Sequence, residues 1–335
     1  MKKEPIYFYL RPPSWPPADA LLDPSSADHL YFGNAAFCWI LQTYLRLRTR
    51  GCNVELTNRL VDSGIIVICS GDVPVTFVPN PRQLIISINA DEAPDVFTQL
   101  RVTQNKIQER LLAGSYFIPL WPQAGLMARD PARGEMFASV SYFGDDPHLS
   151  PELRDEQWAD FLASRNIEWI FKNASSTGNA DYSKTDCVIA VRSFRRAGFI
   201  RKPASKLFNA WIAGVPAILG REFAFREQRK SALDYIEINS YAEACAAIDR
   251  LAGSSALRRQ MVENGRKRVH EVSIDQLAQR WEHLLYEVAP EAARRWAALS
   301  DNGRKAFLLR RQLGKKARGA AHRLLRAAGQ EQYAI

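Results

Sequence analysis

The chain is 335 residues long and carries 45 Lys and Arg against 36 Asp and Glu, a net charge of +9; this length suits two domains, and an apolar fraction of 47% supplies ordinary cores. The charge is unevenly placed, because 11 basic and 3 acidic residues fall between Glu291 and Ile335, leaving the first 290 residues nearly neutral. That excludes a catalytic domain wrapped in nucleic acid, whose basic footprint would cover the folded surface, and no run of about 18 apolar residues is present to span a membrane.

The opening MKKEPIYFYLRPPSWPP has an apolar stretch broken by prolines, with no small-residue cleavage site after it. Residues 1–28 read as irregular after a short apolar start. AAFCWILQTYLRLRTRG (35–51) places apolar residues at helical spacing and ends on Gly51, a C-cap signal. Just before it, Gly33 and Asn34 read as a turn and N-cap, with Asp28 and His29 close in sequence; all four are outside candidates for an acceptor pocket. NVELTN reads as a strand, and GIIVICSG (64–71) and RQLIISINADE (82–92) as buried ones, the last opening onto Asp91 and Glu92. A helix is expected to begin near APDVFTQL, and a strand at GSYFIPLWP. QAGLMARDPARGEM (123–136) clusters Gly, Pro and charge, as linkers do.

A second alternating set follows. FASVSYFGDD (137–146) is an expected strand ending in Gly144 and two aspartates. SPELRDEQWADFLASRN (150–166) is an expected helix with Ser150 as N-cap. IEWIFKN, TDCVIAVR and LDYIEIN read as strands, SYAEACAAIDRLAGS as a helix capped by Ser240, and two helices near 255–270 and 274–288 close the set. Helix–strand alternation of this kind implies parallel sheets covered on both faces. The expected architecture is α/β, two tandem Rossmann-like domains facing across a cleft. Residues 1–130 form the first, 137–290 the second, and 291–335 a basic amphipathic helical tail.

In such sheets ligands sit at the carboxyl ends of strands and at helix N-termini, where free N–H groups and the helix dipole favour anions. KPASKLFNAWIAGVPAILG (202–220) places Lys202, Ser205 and Lys206 at a helix start. Lysines there oppose the dipole unless an anion is also present, so the group points to a phosphate ligand. The alternative is a helix capped by Ser205 with solvated lysines.

TDCVIAVR and KPASKLFNAWIAGVPAILG, followed by RRQMVENGRKRVHEVSIDQLAQRWEHLL (258–285), resemble the donor-binding half of GT-B glycosyltransferases. The resemblance implies a nucleotide-diphosphate sugar as donor co-substrate, with donor contacts among Gly144, Arg192, Lys202, Ser205, Lys206, Asn209 and Arg226. Many retaining members carry two glutamates eight positions apart; here Arg201 and Asn209 stand in their places, which leaves the anomeric outcome open. SKLFNAWIAGVPAILG also resembles the donor motif of fucosyltransferases, where a lysine at the Lys206 position meets the phosphates. No Asp-X-Asp occurs, so a metal-independent transfer is expected, with lysines and helix-end amides stabilising the leaving diphosphate.

Asp91, at the end of a buried strand, is the expected catalytic base, with Glu92 second; the alternative reading of Asp91 is a cap for the helix near APDVFTQL. The acceptor, a glycan, lipid or protein, is open. A non-catalytic two-lobed protein that binds a sugar or nucleotide-sugar is the competing function. A nicotinamide dehydrogenase would need a Gly-X-Gly-X-X-Gly turn, which is absent.

Five scattered cysteines, Cys38, Cys52, Cys69, Cys187 and Cys245, mostly in apolar segments, suit reduced thiols and a cytoplasmic location. The five histidines have no metal-ligand spacing, so no metal site is expected. In the tail, apolar or small residues at 306, 309, 313, 317, 320, 324 and 328 recur at helical steps among many Lys and Arg. This suits a helix lying peripherally on an anionic membrane at its inner face. The alternative is a helix packed on the first domain through that same stripe.

Overall fold

A computed structural model describes residues 4–16, 32, 34–173, 179–195 and 198–327. Asp28, His29 and Gly33 lie outside the described residues. Among those described are two parallel sheets with helices around them. The first sheet comprises β1 (Ile6–Tyr9), β2 (Glu55–Thr57), β3 (Gly64–Cys69), β4 (Gln83–Ile88), β5 (Leu100–Thr103) and β6 (Ser115–Phe117), in the spatial order β2-β1-β3-β4-β5-β6. Every pairing is parallel. β3 (GIIVIC) and β4 (QLIISI) are buried at all positions, as strands covered on both faces must be. Helix 36–41 runs into α1 (Gln42–Thr49), and Gly51 ends it at φ 79°. Between β5 and β6 lies α2 (Lys106–Leu111).

β1 forms in the short apolar start, ahead of the prolines of the stretch read as irregular. One local expectation is corrected here. No helix begins near APDVFTQL; residues 91–99 cross from β4 to β5 as turns and extended chain. Asp91 therefore caps nothing.

The second sheet comprises β7 (Ser139–Phe143), β8 (Glu168–Lys172), β9 (Cys187–Ala190), β10 (Ala217–Leu219) and β11 (Ile236–Glu237), ordered β11-β10-β9-β7-β8 and again wholly parallel. Its helices are α3 (Glu156–Ala163), α4 (Ser205–Ala213), α5 (Phe223–Arg226), α6 (Tyr241–Ala252) and α7 (Ser255–Arg268). α3 starts later than expected: Ser150 opens a short 3-10 turn, and Asp155 is the cap, its carboxylate accepting from the Trp158 N–H at 3.0 Å. Ser240 caps α6 as its sequence suggests, accepting from Glu243 N at 3.1 Å.

The chain then returns. α8 (Ile274–His283) and α9 (Ala289–Ala298) lead to α10 (Asp301–Ala327). Leu277, Ala278, Trp281, Leu284, Leu285 and Ala289 enter the core of the first sheet, beside Phe8, Ile40 and Val67. The segment 274–289, expected with the second domain, thus packs in the first. Its apolar face was legible; which core that face meets depends on where the chain turns after α7. Trp281 is fully buried, its ring 6.3 Å from that of Phe8. Trp281→Ala should cost about 3–5 kcal/mol of stability, read as a lower urea midpoint. An unchanged midpoint would place this helix outside the core.

α10 lies on the first domain. Phe307 meets the Trp296 ring edge-on at 5.4 Å, and Leu308 packs against the cluster of Ile66, Ile68 and Phe97. The alternative reading, packing through the leucine and alanine stripe, is not what forms: Leu309, Leu313 and Leu324 are exposed. No helix among the described residues is long and apolar enough to cross a membrane.

Candidate functional site

Parallel strands deliver their carboxyl ends to one edge of each sheet. On the second sheet that edge holds Gly144 after β7, Arg192 after β9 and Glu222 after β10, with the first turn of α4 beside them. Gly144 has φ 154°, and a Cβ there would come within 2.7 Å of the Tyr142 hydroxyl. The backbone at this turn therefore requires glycine. On the first sheet, Asp91 follows β4. Two non-glycine residues in the left-handed region flank the same cleft, Ala90 at φ 43° and Phe199 at φ 47°. Such conformations cost about 1–3 kcal/mol each and gather where surrounding structure holds a functional loop in place.

α4 begins at Ser205 with Ala204 as its cap residue, and no side chain caps it. Its first N–H groups are left without a side-chain partner. Lys206, in this turn and half-buried, has its pKa lowered to about 8, first by burial and then by the Arg192 guanidinium, against opposing pulls from Asp145 and Glu222. Among the described residues no ion pair holds its ammonium. Arg192 donates through Nη1 to the Glu222 carboxylate, which is almost wholly buried. Burial raises the Glu222 pKa, against Arg192. Among the described residues, the Nε of Arg192 and the Oε1 of Glu222 are buried and have no hydrogen-bond partner. His148, on the loop after Gly144, has its pKa lowered by burial and by Lys202 and Arg192, so its imidazole is neutral near pH 7.

The two domains meet through Asp91. Its carboxylate takes Lys202 Nζ at 2.7 Å on one oxygen and Gln104 Nε2 at 3.0 Å on the other. Gln104 also donates to the Arg201 carbonyl at 2.8 Å, and Asn105 Nδ2 to the Ile200 carbonyl at 2.5 Å while its Oδ1 caps α2. Glu227 adds a further tie, accepting from Lys106 N at 2.7 Å. Beside this clasp lies a cleft of about 460 Å³ lined by Asp91, Phe199, Arg201, Lys202, Lys315 and Arg318, among others. Four cations, two from the second domain and two from the tail, thus share the cleft with the one carboxylate of Asp91. A larger cavity, about 630 Å³, lies at the opposite end of the second sheet, near Asp186 and Pro216, which precede strands rather than follow them. Its Asp186 is already held by Arg129 and Arg133 at 2.8 and 2.6 Å, so the polar group there serves the fold.

Of the residues singled out from sequence, Gly144, Arg192, Lys202, Lys206 and Asp91 stand at the facing sheet edges. The others point elsewhere. Ser205 and Asn209, one helical turn apart, line a narrow crevice against Leu120–Pro122, and Asn209 donates to Gln123 Oε1 at 2.7 Å. Arg226 is bound by Glu237, with Nε to Oε2 at 2.8 Å and a second bond from Nη2. Its charge is thereby spent on the edge strand β11. Glu222, His148 and the tail residues Lys315 and Arg318 were missed. Glu222 and His148 do carry one signal, a polar residue a few positions past a buried strand. The tail residues carry none, since only the return of the chain brings them here. Among the described residues, no group of three or more His, Cys, Asp or Glu is placed to hold a metal ion.

No family model and no curated protein matches the chain. Solved structures do. HepE of Anabaena, crystallised in complex with UDP and glucose, is similar over 85% of this chain and 100% of that one, at 11% identity and a TM-score of 0.52. AviGT4, a glycosyltransferase involved in avilamycin A biosynthesis, is similar over 89% and 99%, at 14% identity and a TM-score of 0.50. Against TarM the likeness covers 73% of this chain and 58% of that chain, at 10% identity and a TM-score of 0.47. Two parallel sheets turning their carboxyl edges toward one cleft, together with the likeness to HepE and AviGT4, give this chain the GT-B fold.

Proposed function

We propose that the protein transfers a glycosyl group from a nucleoside-diphosphate sugar to an acceptor hydroxyl. The observation that carries this reading is Lys206: a half-buried ammonium that no ion pair among the described residues holds, in the first turn of a helix whose N–H groups no described side chain caps. An anion at that place answers both. HepE, which shares the fold, was crystallised with UDP and glucose, and this supports a nucleotide sugar as the anion's source.

In this reading the diphosphate lies at the start of α4, beside the Gly144 turn. Lys206, the free edge of Arg192 and the helix-end amides stabilise charge as the glycosidic oxygen bond breaks and the nucleotide leaves. These cations supply the countercharge, and transfer proceeds without a metal ion. Asp91, the one carboxylate among the described residues lining the cleft, takes the acceptor hydroxyl's proton. Lys202 must then release it as acceptor enters. Arg201, Lys315 and Arg318 surround the acceptor side with positive charge, which suits an acceptor bearing an anionic group.

The test is a thermal-shift panel of UDP, GDP, ADP and TDP sugars, run with and without EDTA. One of them should raise the unfolding temperature by mass action, about 2.7 kcal/mol at 100 times its dissociation constant, and the shift should survive EDTA. A panel without any shift would dispose of the donor site. A shift without turnover on any acceptor would mark a binding protein instead.

A further inference from the structure

α10 has two unlike long faces. Toward the protein it turns Phe307, Leu308, Arg311 and Gly314, together with Arg318, which lines the cleft. Away from it stand Leu309, Leu313 and Leu324, exposed at 56%, 56% and 72%. At about 100° per residue these three fall within one narrow arc. Ala306 and Ala317 are exposed beside them, and Lys305, Arg310, Lys316 and Arg323 are exposed on its flanks. After Asp301 the helix contains no acidic residue. Beyond Asp301 the outer face is thus a leucine stripe whose charged neighbours are all cations.

We propose that this face of α10 docks the protein on an anionic lipid surface. The leucines and alanines enter the headgroup–acyl boundary, and the flanking Lys and Arg meet lipid phosphates and carboxylates. Charge selects this occupant. A second copy of the chain would bring cations against cations. A nucleic acid would satisfy the charge but leave the leucines in water, and the outer arc offers no aromatic ring for a base to stack on, since Phe307 is turned inward against Trp296. Because Lys315 and Arg318 of the same helix line the cleft, docking brings the cleft close to the lipid headgroups. This inference rests on the faces of α10 and stands independently of glycosyl transfer.

Full-length protein is sedimented with vesicles of equimolar phosphatidylglycerol and phosphatidylcholine, and with phosphatidylcholine alone. It should partition onto the anionic vesicles at low ionic strength and leave them as salt shortens the screening length. Replacing Lys305, Arg310, Lys316 and Arg323 by Gln should lower the partition on the order of a thousandfold. Leu309→Asp, Leu313→Asp and Leu324→Asp together should lower it by at least about tenfold. All seven positions are exposed, so the unfolding temperatures should match wild type, and this is measured alongside. Equal binding to neutral vesicles, or no binding to either, overturns the proposal. So does a leucine variant that sediments like wild type; if it also holds single-stranded DNA as tightly as wild type does, the face is a polyanion surface. Nucleotide-sugar shifts measured on the same variants report on the donor site separately, so the two readings fail or stand apart.

Discussion

Lys206→Ala should lower kcat/KM by about 2–4 kcal/mol of transition-state stabilisation, the range for loss of one preorganised donor to developing negative charge. Stability should not fall with it. Burial and Arg192 lower the Lys206 pKa to about 8, against about 10.4 for an unfolded lysine. Between those values the unfolded chain binds the extra proton, so this group's contribution to stability grows as pH rises through that window. At pH 7 the native state is holding a charge it disfavours, and the alanine variant should unfold at the same temperature as wild type or higher. Donor binding should draw a proton onto Lys206 above about pH 8, with affinity falling up to tenfold per unit beyond it; calorimetry in buffers of different ionisation enthalpy reads that uptake, and the variant should lack it. A folded Lys206→Ala protein with unchanged kinetics and unchanged proton uptake would remove the diphosphate from this turn.

Asp91→Asn should lower kcat by about 10²–10⁴, the usual contribution of a general base, while donor affinity stays near wild type. The substitution keeps a group able to bond Gln104 but ends the ion pair with Lys202. The clasp and the base are therefore separated by pH. Loss of a base abolishes the acidic limb of the kcat profile, whereas a loosened domain contact lowers the rate at every pH and leaves the limb in place. A variant near full rate would move the proton transfer to His148, whose lowered pKa keeps it neutral and able to accept a proton near pH 7.

The legible part of the site is the part fixed by chain direction. A parallel strand puts its last residues at the ligand edge wherever it sits in the sheet, so Asp91 could be placed from the end of a buried apolar run, and Gly144 and Arg192 in the same way. Lys202 and Lys206 were readable because lysines at a helix start conflict with the dipole unless something anionic resolves it. The illegible part depends on rotation and neighbours. α4 has one set of side chains four apart, Ser205 and Asn209, against Leu120–Pro122, and sequence spacing cannot say which face a helix turns to which neighbour. Arg192 meets Glu222 only because β9 and β10 are adjacent, and Arg226 is lost to Glu237 through the neighbouring edge strand. Strand order is the information that the linear chain lacks.

Hydrophobic periodicity, run length and turn chemistry are local properties, and by themselves they determined two alternating α/β halves, the lysines at the start of α4 and an amphipathic basic tail. The tertiary structure decided everything that depends on return of the chain. Trp281 and its helix leave the second domain for the first core because the apolar surface exposed there outweighs their nearness in sequence. α10 packs through Phe307 and Leu308 rather than its leucine stripe, because those residues can fill a cluster already built by Ile66, Ile68 and Phe97. That choice of face turns one row of leucines outward and places Lys315 and Arg318 at the cleft.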